Sequence, residues 1–113
     1  THFMDEAERL CRRVGIMDRG ELIALDTPRN LIEREIEPQV VEVYGDGVRE
    51  WADSLGRARS SRVEVAGETA FCYAADAAPL LATLDGWPSL RALKRVANLE
   101  DVFIKLTGRD IRD

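Results

Sequence analysis

The stretch that decides the fold is residues 39–97, QVVEVYGDGVREWADSLGRARSSRVEVAGETAFCYAADAAPLLATLDGWPSLRALKRVA. It opens with a β-rich run, Gln39–Tyr44, which Gly45-Asp46-Gly47 breaks. Val48, Trp51, Ala52 and Leu55 then recur at helical spacing, and Gly56 is expected to end that helix. Arg62–Ala66 alternates, with Val63 and Val65 on one side, before Gly67-Glu68 turns the chain into a strand over Thr69–Ala75. A helix is predicted for Ala77–Leu84, with Leu80, Leu81 and Leu84 inward, and Trp87-Pro88 breaks it. Leu90–Val96 reads as the last strand.

The order β-α-β-β-α-β is the ferredoxin-like pattern, an α+β fold. Two helices would cover one face of its sheet and leave the other open. Phe71 and Tyr73 lie two apart on one strand and therefore share a face. Aromatic residues on an open sheet face are one way to stack RNA bases. Here the segment TAFCYAA carries no Lys or Arg, and burial of the pair is expected instead. The cover would be a C-terminal helix over 98–107, or a partner. Asn98 caps that helix, Leu99, Val102, Phe103 and Leu106 form its apolar face, and Gly108 stops it. A small-ligand site on the Phe71/Tyr73 face is the alternative.

Upstream, Phe3, Ala7, Leu10, Cys11 and Val14 trace one face of an amphipathic helix. Asp5/Arg9 and Glu8/Arg12 stand four apart with the acid first, the favoured order for helical ion pairs. Asp5, Glu6 and Glu8 read as a charged helix face rather than as metal ligands. Val14–Asp18 and Glu21–Asp26 flank Arg19-Gly20 as a hairpin. Thr27-Pro28 starts a helix over 28–36 with an N-cap residue and then proline, and Pro38 stops it. The chain therefore divides into 1–37 and a ferredoxin-like domain, 38–113.

With 16 Lys and Arg against 21 Asp and Glu, the net charge is −5. That balance argues against a general nucleic-acid binder, although Arg9, Arg12 and Arg13 form a local basic cluster. Cys11 and Cys72 are expected to be two isolated buried thiols, in keeping with a cytoplasmic protein.

Several motifs at the two ends of the chain have a family resemblance. They are Thr1-His2, Glu6-Ala7-Glu8-Arg9-Leu10-Cys11, Met17-Asp18-Arg19-Gly20, Asp26-Thr27-Pro28-Arg29-Asn30-Leu31 and the tail NLEDVFIKLTG, residues 98–108. In this order and spacing they resemble the C-terminal part of an ATP-binding-cassette transporter ATPase subunit. The branch is that of drug-resistance and nodulation-factor exporters. The resemblance implies that His2 corresponds to the switch histidine, whose imidazole contacts the γ-phosphate and helps position the attacking water. It implies ATP and Mg²⁺ as cofactors of the parent protein and a membrane-spanning permease subunit as its partner. It also implies a place at the cytoplasmic face of the inner membrane. Two positions depart from the pattern: Arg12 stands where an acidic residue is usual, and Asp26 where glycine is usual. The second departure implies that the turn before Thr27 needs no positive φ.

The sequence contains no G-x-x-x-x-G-K-[ST] phosphate loop, no Walker B segment and no LSGGQ signature. The chain is expected to be a piece cut just before the switch histidine, holding no cofactor itself and inactive as an ATPase. It would act in regulation or assembly, self-associate through the uncovered faces of 1–37 and helix 98–107, and bind no nucleic acid. The alternative function is a free-standing ferredoxin-like module for a small ligand.

Overall fold

A computed structural model describes residues 2–108. Of these, 2–36 with 97–108 form one compact unit and 37–96 a second. The expected boundary lies between 37 and 38. The chain instead leaves the first unit once and comes back to it, and the C-terminal helix groups with the N-terminal segment.

The first unit holds helix α1 (His2–Leu10), strands β1 (Val14–Asp18) and β2 (Glu21–Asp26), helix α2 (Pro28–Glu35) and the tail helix, α5 (Leu99–Thr107). The hairpin has the expected two-residue turn. Arg19 (φ 52°) and Gly20 (φ 78°) both take positive φ, as the turn type matched to strand twist requires. A bulge between Ile16 and Met17 in the register leaves Ile23 as the extra residue of β2. Ile16 faces the core, while Met17, Leu22 and Leu25 share the outer face with Gly15. α5 packs on α1 and α2, and Leu31, Leu99 and Val102 are fully buried. Ile104 is buried where Phe103 was expected to be. Phe103 is half-buried and lines a cavity of about 250 Å³ with the β1–β2 turn.

Two expectations for α1 are corrected. The helix stops at Leu10, so Cys11 is exposed and Val14 belongs to β1. Arg12 therefore lies off the helix, and Glu8 bonds to α5 instead of Arg12.

The second unit is a four-stranded antiparallel sheet in the order β4-β5-β3-β6, built from β3 (Gln39–Gly45), β4 (Arg62–Ala66), β5 (Thr69–Ala74) and β6 (Leu90–Val96). Helix α3 spans 48–59 and α4 is Ala78–Thr83, extended by a 3₁₀ turn, Leu84–Gly86. The expected β-α-β-β-α-β order is observed. Val41, Val43, Ala70, Cys72 and Ala74 form one side of the core, and Val48, Trp51, Ala52 and Leu80 the other.

Gly56 does not end α3. It keeps helical angles inside a π-helical segment, Ala52–Gly56, and the helix continues to Arg59. Its lack of a side chain serves packing: a Cβ there would stand 3.1 Å from Trp51 Cζ3. The indole is held from its other end by Nε1–H donating to Thr83 Oγ1 at 3.0 Å.

Candidate functional site

The motifs at the two ends of the sequence meet in the first unit. α5 begins at Leu99, and its first amides need acceptors that the helix cannot supply. Asn98 accepts from the Asp101 amide at 3.0 Å, and the Asp101 carboxylate accepts from the Asn98 amide at 2.9 Å, a reciprocal capping box. Asp101 is 1% exposed. The Leu99 amide donates to Glu8 Oε1, 2.8 Å away on α1 and 91 positions earlier in the chain. Glu8 thus satisfies a buried donor and sets a negative charge at the positive end of α5. At the other end of the junction, Lys105 Nζ donates to the Glu35 carbonyl at the C-terminus of α2.

A second polar cluster starts α2. Thr27 caps it, accepting from the Asn30 amide at 3.1 Å. Asp26 accepts from the Thr27 amide at 2.7 Å, from Asn30 Nδ2 at 3.0 Å and from Arg34 Nη1 at 2.9 Å. The Asn30 bond above all, then the Thr27 amide and Arg34, holds the Asp26 carboxyl below its ordinary value. Glu35 and Asp26 together push the Arg34 guanidinium up. Asp26 has no positive φ, as its departure from glycine implied. Its anchoring role was not read from the sequence, although Asp26, Asn30 and Arg34, spaced four apart, carried the signal.

In the second unit, Phe71 and Tyr73 are buried, Tyr73 completely. Arg62 stacks on the Tyr73 ring with its guanidinium carbon 3.9 Å from the centroid, and it also pairs with Glu64 and, at 3.5 Å, with Glu37. Arg95 pairs with Glu42 across β6 and β3. This face offers no exposed aromatic pair for bases to stack on. Burial also pushes the Cys72 thiol up to about 12, so it is a protonated core residue.

His2 stands in the first turn of α1, but its side chain, like that of Phe3, lies outside the described residues. Asp5 and Glu6 are exposed, and among the described residues no three His, Cys, Asp or Glu side chains could hold a metal ion together. Nor is any described helix long and apolar enough to cross a membrane.

The junction joins the two motif sets that carried the family resemblance, and comparison with known proteins bears that resemblance out. A family model described as nodulation factor export protein NodI, C-terminal domain, matches residues 49–108. The chain belongs to this family. The match runs from α3 through β6 into α5, so it takes in most of the second unit and the tail helix of the first. Relatives named Nod factor export ATP-binding protein I cover the whole chain. The one from Cupriavidus pinatubonensis is 52% identical over 113 residues, and this chain spans 34% of its length. Those from Burkholderia orbicola and Ralstonia nicotianae are 50% and 51% identical, and the chain spans 37% of each. The chain therefore corresponds to about a third of the curated relatives it matches.

Proposed function

We propose that this chain is the C-terminal regulatory and assembly part of an ATP-binding-cassette ATPase subunit, whose whole couples ATP hydrolysis to export through a membrane-spanning permease. The observation that carries this reading is the Glu8–Leu99 junction, which ties the ATPase-like head of the chain to the family's tail motif. The second unit is then a ferredoxin-like accessory domain, a reading supported by its element order and its antiparallel strand order. The first unit is the end of the ATPase domain. Its hairpin presents Met17 (58% exposed), Leu22 (54%) and Leu25 on one outer face, an apolar patch that asks for a cover. The occupant is the remaining two thirds of length found in the relatives. In the 113-residue chain taken alone, a second copy takes that place.

The residues of this chain do not fit ATP by themselves. The sequence has no phosphate loop, and Glu8, Asn98 and Asp101 are committed to the cap of α5. By correspondence, His2 would reach the γ-phosphate only beside a phosphate loop from the rest of the subunit. The parent then acts at the cytoplasmic face of the membrane.

Calorimetric titration of this chain with Mg-ATP, with light scattering on the same sample, tests the reading. The expected result is no saturable heat, together with a mass above that of a monomer that Leu22→Lys reduces. Saturable heat would assign the chain a nucleotide site of its own. A monomer at high concentration would remove the role given to the hairpin face.

A further inference from the structure

We propose that β6 is a docking strand: an extended acidic segment of a partner protein adds to the free edge of the sheet beside it. β6 ends the order β4-β5-β3-β6, so among the described residues one of its edges has no neighbouring strand. It is seven residues long and bears three cations and no acid, in a chain of net charge −5. The three cations are not equivalent. Arg95 is neutralised by Glu42, whereas Arg91 and Lys94 are exposed and make no ion pair among the described residues. Leu93 and Val96 beside them are 55% and 76% exposed.

Exposed cations on an edge strand commonly serve to discourage pairing. That argument works against a second copy. Self-pairing would gather four unneutralised cations, Arg91 and Lys94 from each copy, along one edge, and like charges that face one another are destabilising. The same charges select a strand of opposite sign. Main-chain bonds along the edge would supply affinity and the alternating side chains specificity.

The register defines that strand. Arg91 and Leu93 share a face with half-exposed Tyr44, while Ala92, Lys94 and Val96 point to the other. An antiparallel partner meets Lys94, Leu93, Ala92 and Arg91 in turn. It therefore needs an acid, an apolar residue, any residue and a second acid. Its two carboxylates fall on opposite faces, one for each free cation.

The probe is a fluorescein-labelled peptide, Val-Thr-Glu-Val-Thr-Glu-Val, read by anisotropy against the full 113-residue chain. The peptide should bind at least tenfold more tightly than its counterpart with Lys in place of Glu. The double variant Arg91→Glu, Lys94→Glu, with an unchanged melting curve, should reverse that preference. N-methylating one alternate set of peptide amides should abolish binding while the other set leaves it intact, because only one set faces the edge. No binding, equal binding of the two peptides, or equal effects of the two methylated sets would each overturn the proposal. So would loss of binding to phosphatidylglycerol vesicles in the double variant without any peptide binding, which would assign the cations to a membrane surface. A drop in self-associated mass in that variant would assign the edge to a second copy.

Discussion

Replacing Glu8 tests whether the two ends of the sequence are held together at the point where they touch. In Glu8→Ala the Leu99 amide loses its acceptor, and Leu99 is fully buried. A hydrogen bond to a charged group contributes about 1.5–3 kcal/mol. Glu8 is only half-buried, so water can partly replace it and the lower end applies. Loss of the charge at the N-terminus of α5 adds about 0.3–1 kcal/mol. The expected destabilisation is about 2 kcal/mol, a fall in melting temperature of roughly 8–10 °C for a chain of this size. Glu8→Gln keeps an acceptor and loses only the charge, so its cost should be about 0.5 kcal/mol. Thermal melts followed by far-ultraviolet circular dichroism read the stability. Hydrogen exchange at the Leu99 amide reads the site, where protection should fall in the alanine variant and largely survive in the glutamine one. An alanine variant that melts within about 1 °C of the parent and keeps Leu99 protected would refute the reasoning.

Two further outcomes are expected. Because the Asp26 carboxyl is held below its ordinary value of 3.8, chiefly by Asn30, its contribution is present above that value and lost as pH falls through the folded one; Asp26→Asn should therefore lower the melting temperature at pH 7, and a gap to the parent that does not close in acid would contradict this. Exposed Cys11 should react with a maleimide in the native chain while Cys72, buried and pushed up to about 12, reacts only on unfolding; native labelling of Cys72, followed by mass spectrometry, would show that the sheet core opens.

The elements were legible wherever one physical signal ruled. The hairpin strands, β4 and β6 fall on their expected residues because alternation, turn chemistry and length agreed there. The capping box of α5 was half-visible, since Asn98 and Asp101 announce it. What stayed hidden depended on contacts distant in sequence. Gly56 reads as a helix stop until the Trp51 ring is seen occupying the space its side chain would need. Glu8 reads as the partner of Arg12 until α1 is seen to end at Leu10 and α5 to arrive beside it. The stripe on 98–107 announced a buried face, but no periodicity says which element will cover it. The head and tail motifs suggested common family membership, while their contact came only from the fold.

The return of the chain to the first unit has an energetic consequence that the register of the second unit relieves. α5 must find α1 and α2 across the 60 residues of 37–96, and closing so long a loop has an entropic cost. In the folded sheet, however, Gln39 and Val96 are opposite one another on neighbouring strands β3 and β6. The entry and exit of the second unit are therefore a strand spacing apart once it has folded. The segment then behaves as a closure of a few residues rather than of 60, a saving of about 2 kcal/mol by the logarithmic dependence on loop length. The β3–β6 pairing is thus more than part of a sheet. It brings Ile36 and Ala97 close enough for the first unit to close on its own tail helix, so a module could be inserted there without breaking the unit around it. The β3 side of β6 holds the chain ends together, and among the described residues no strand pairs with its other side.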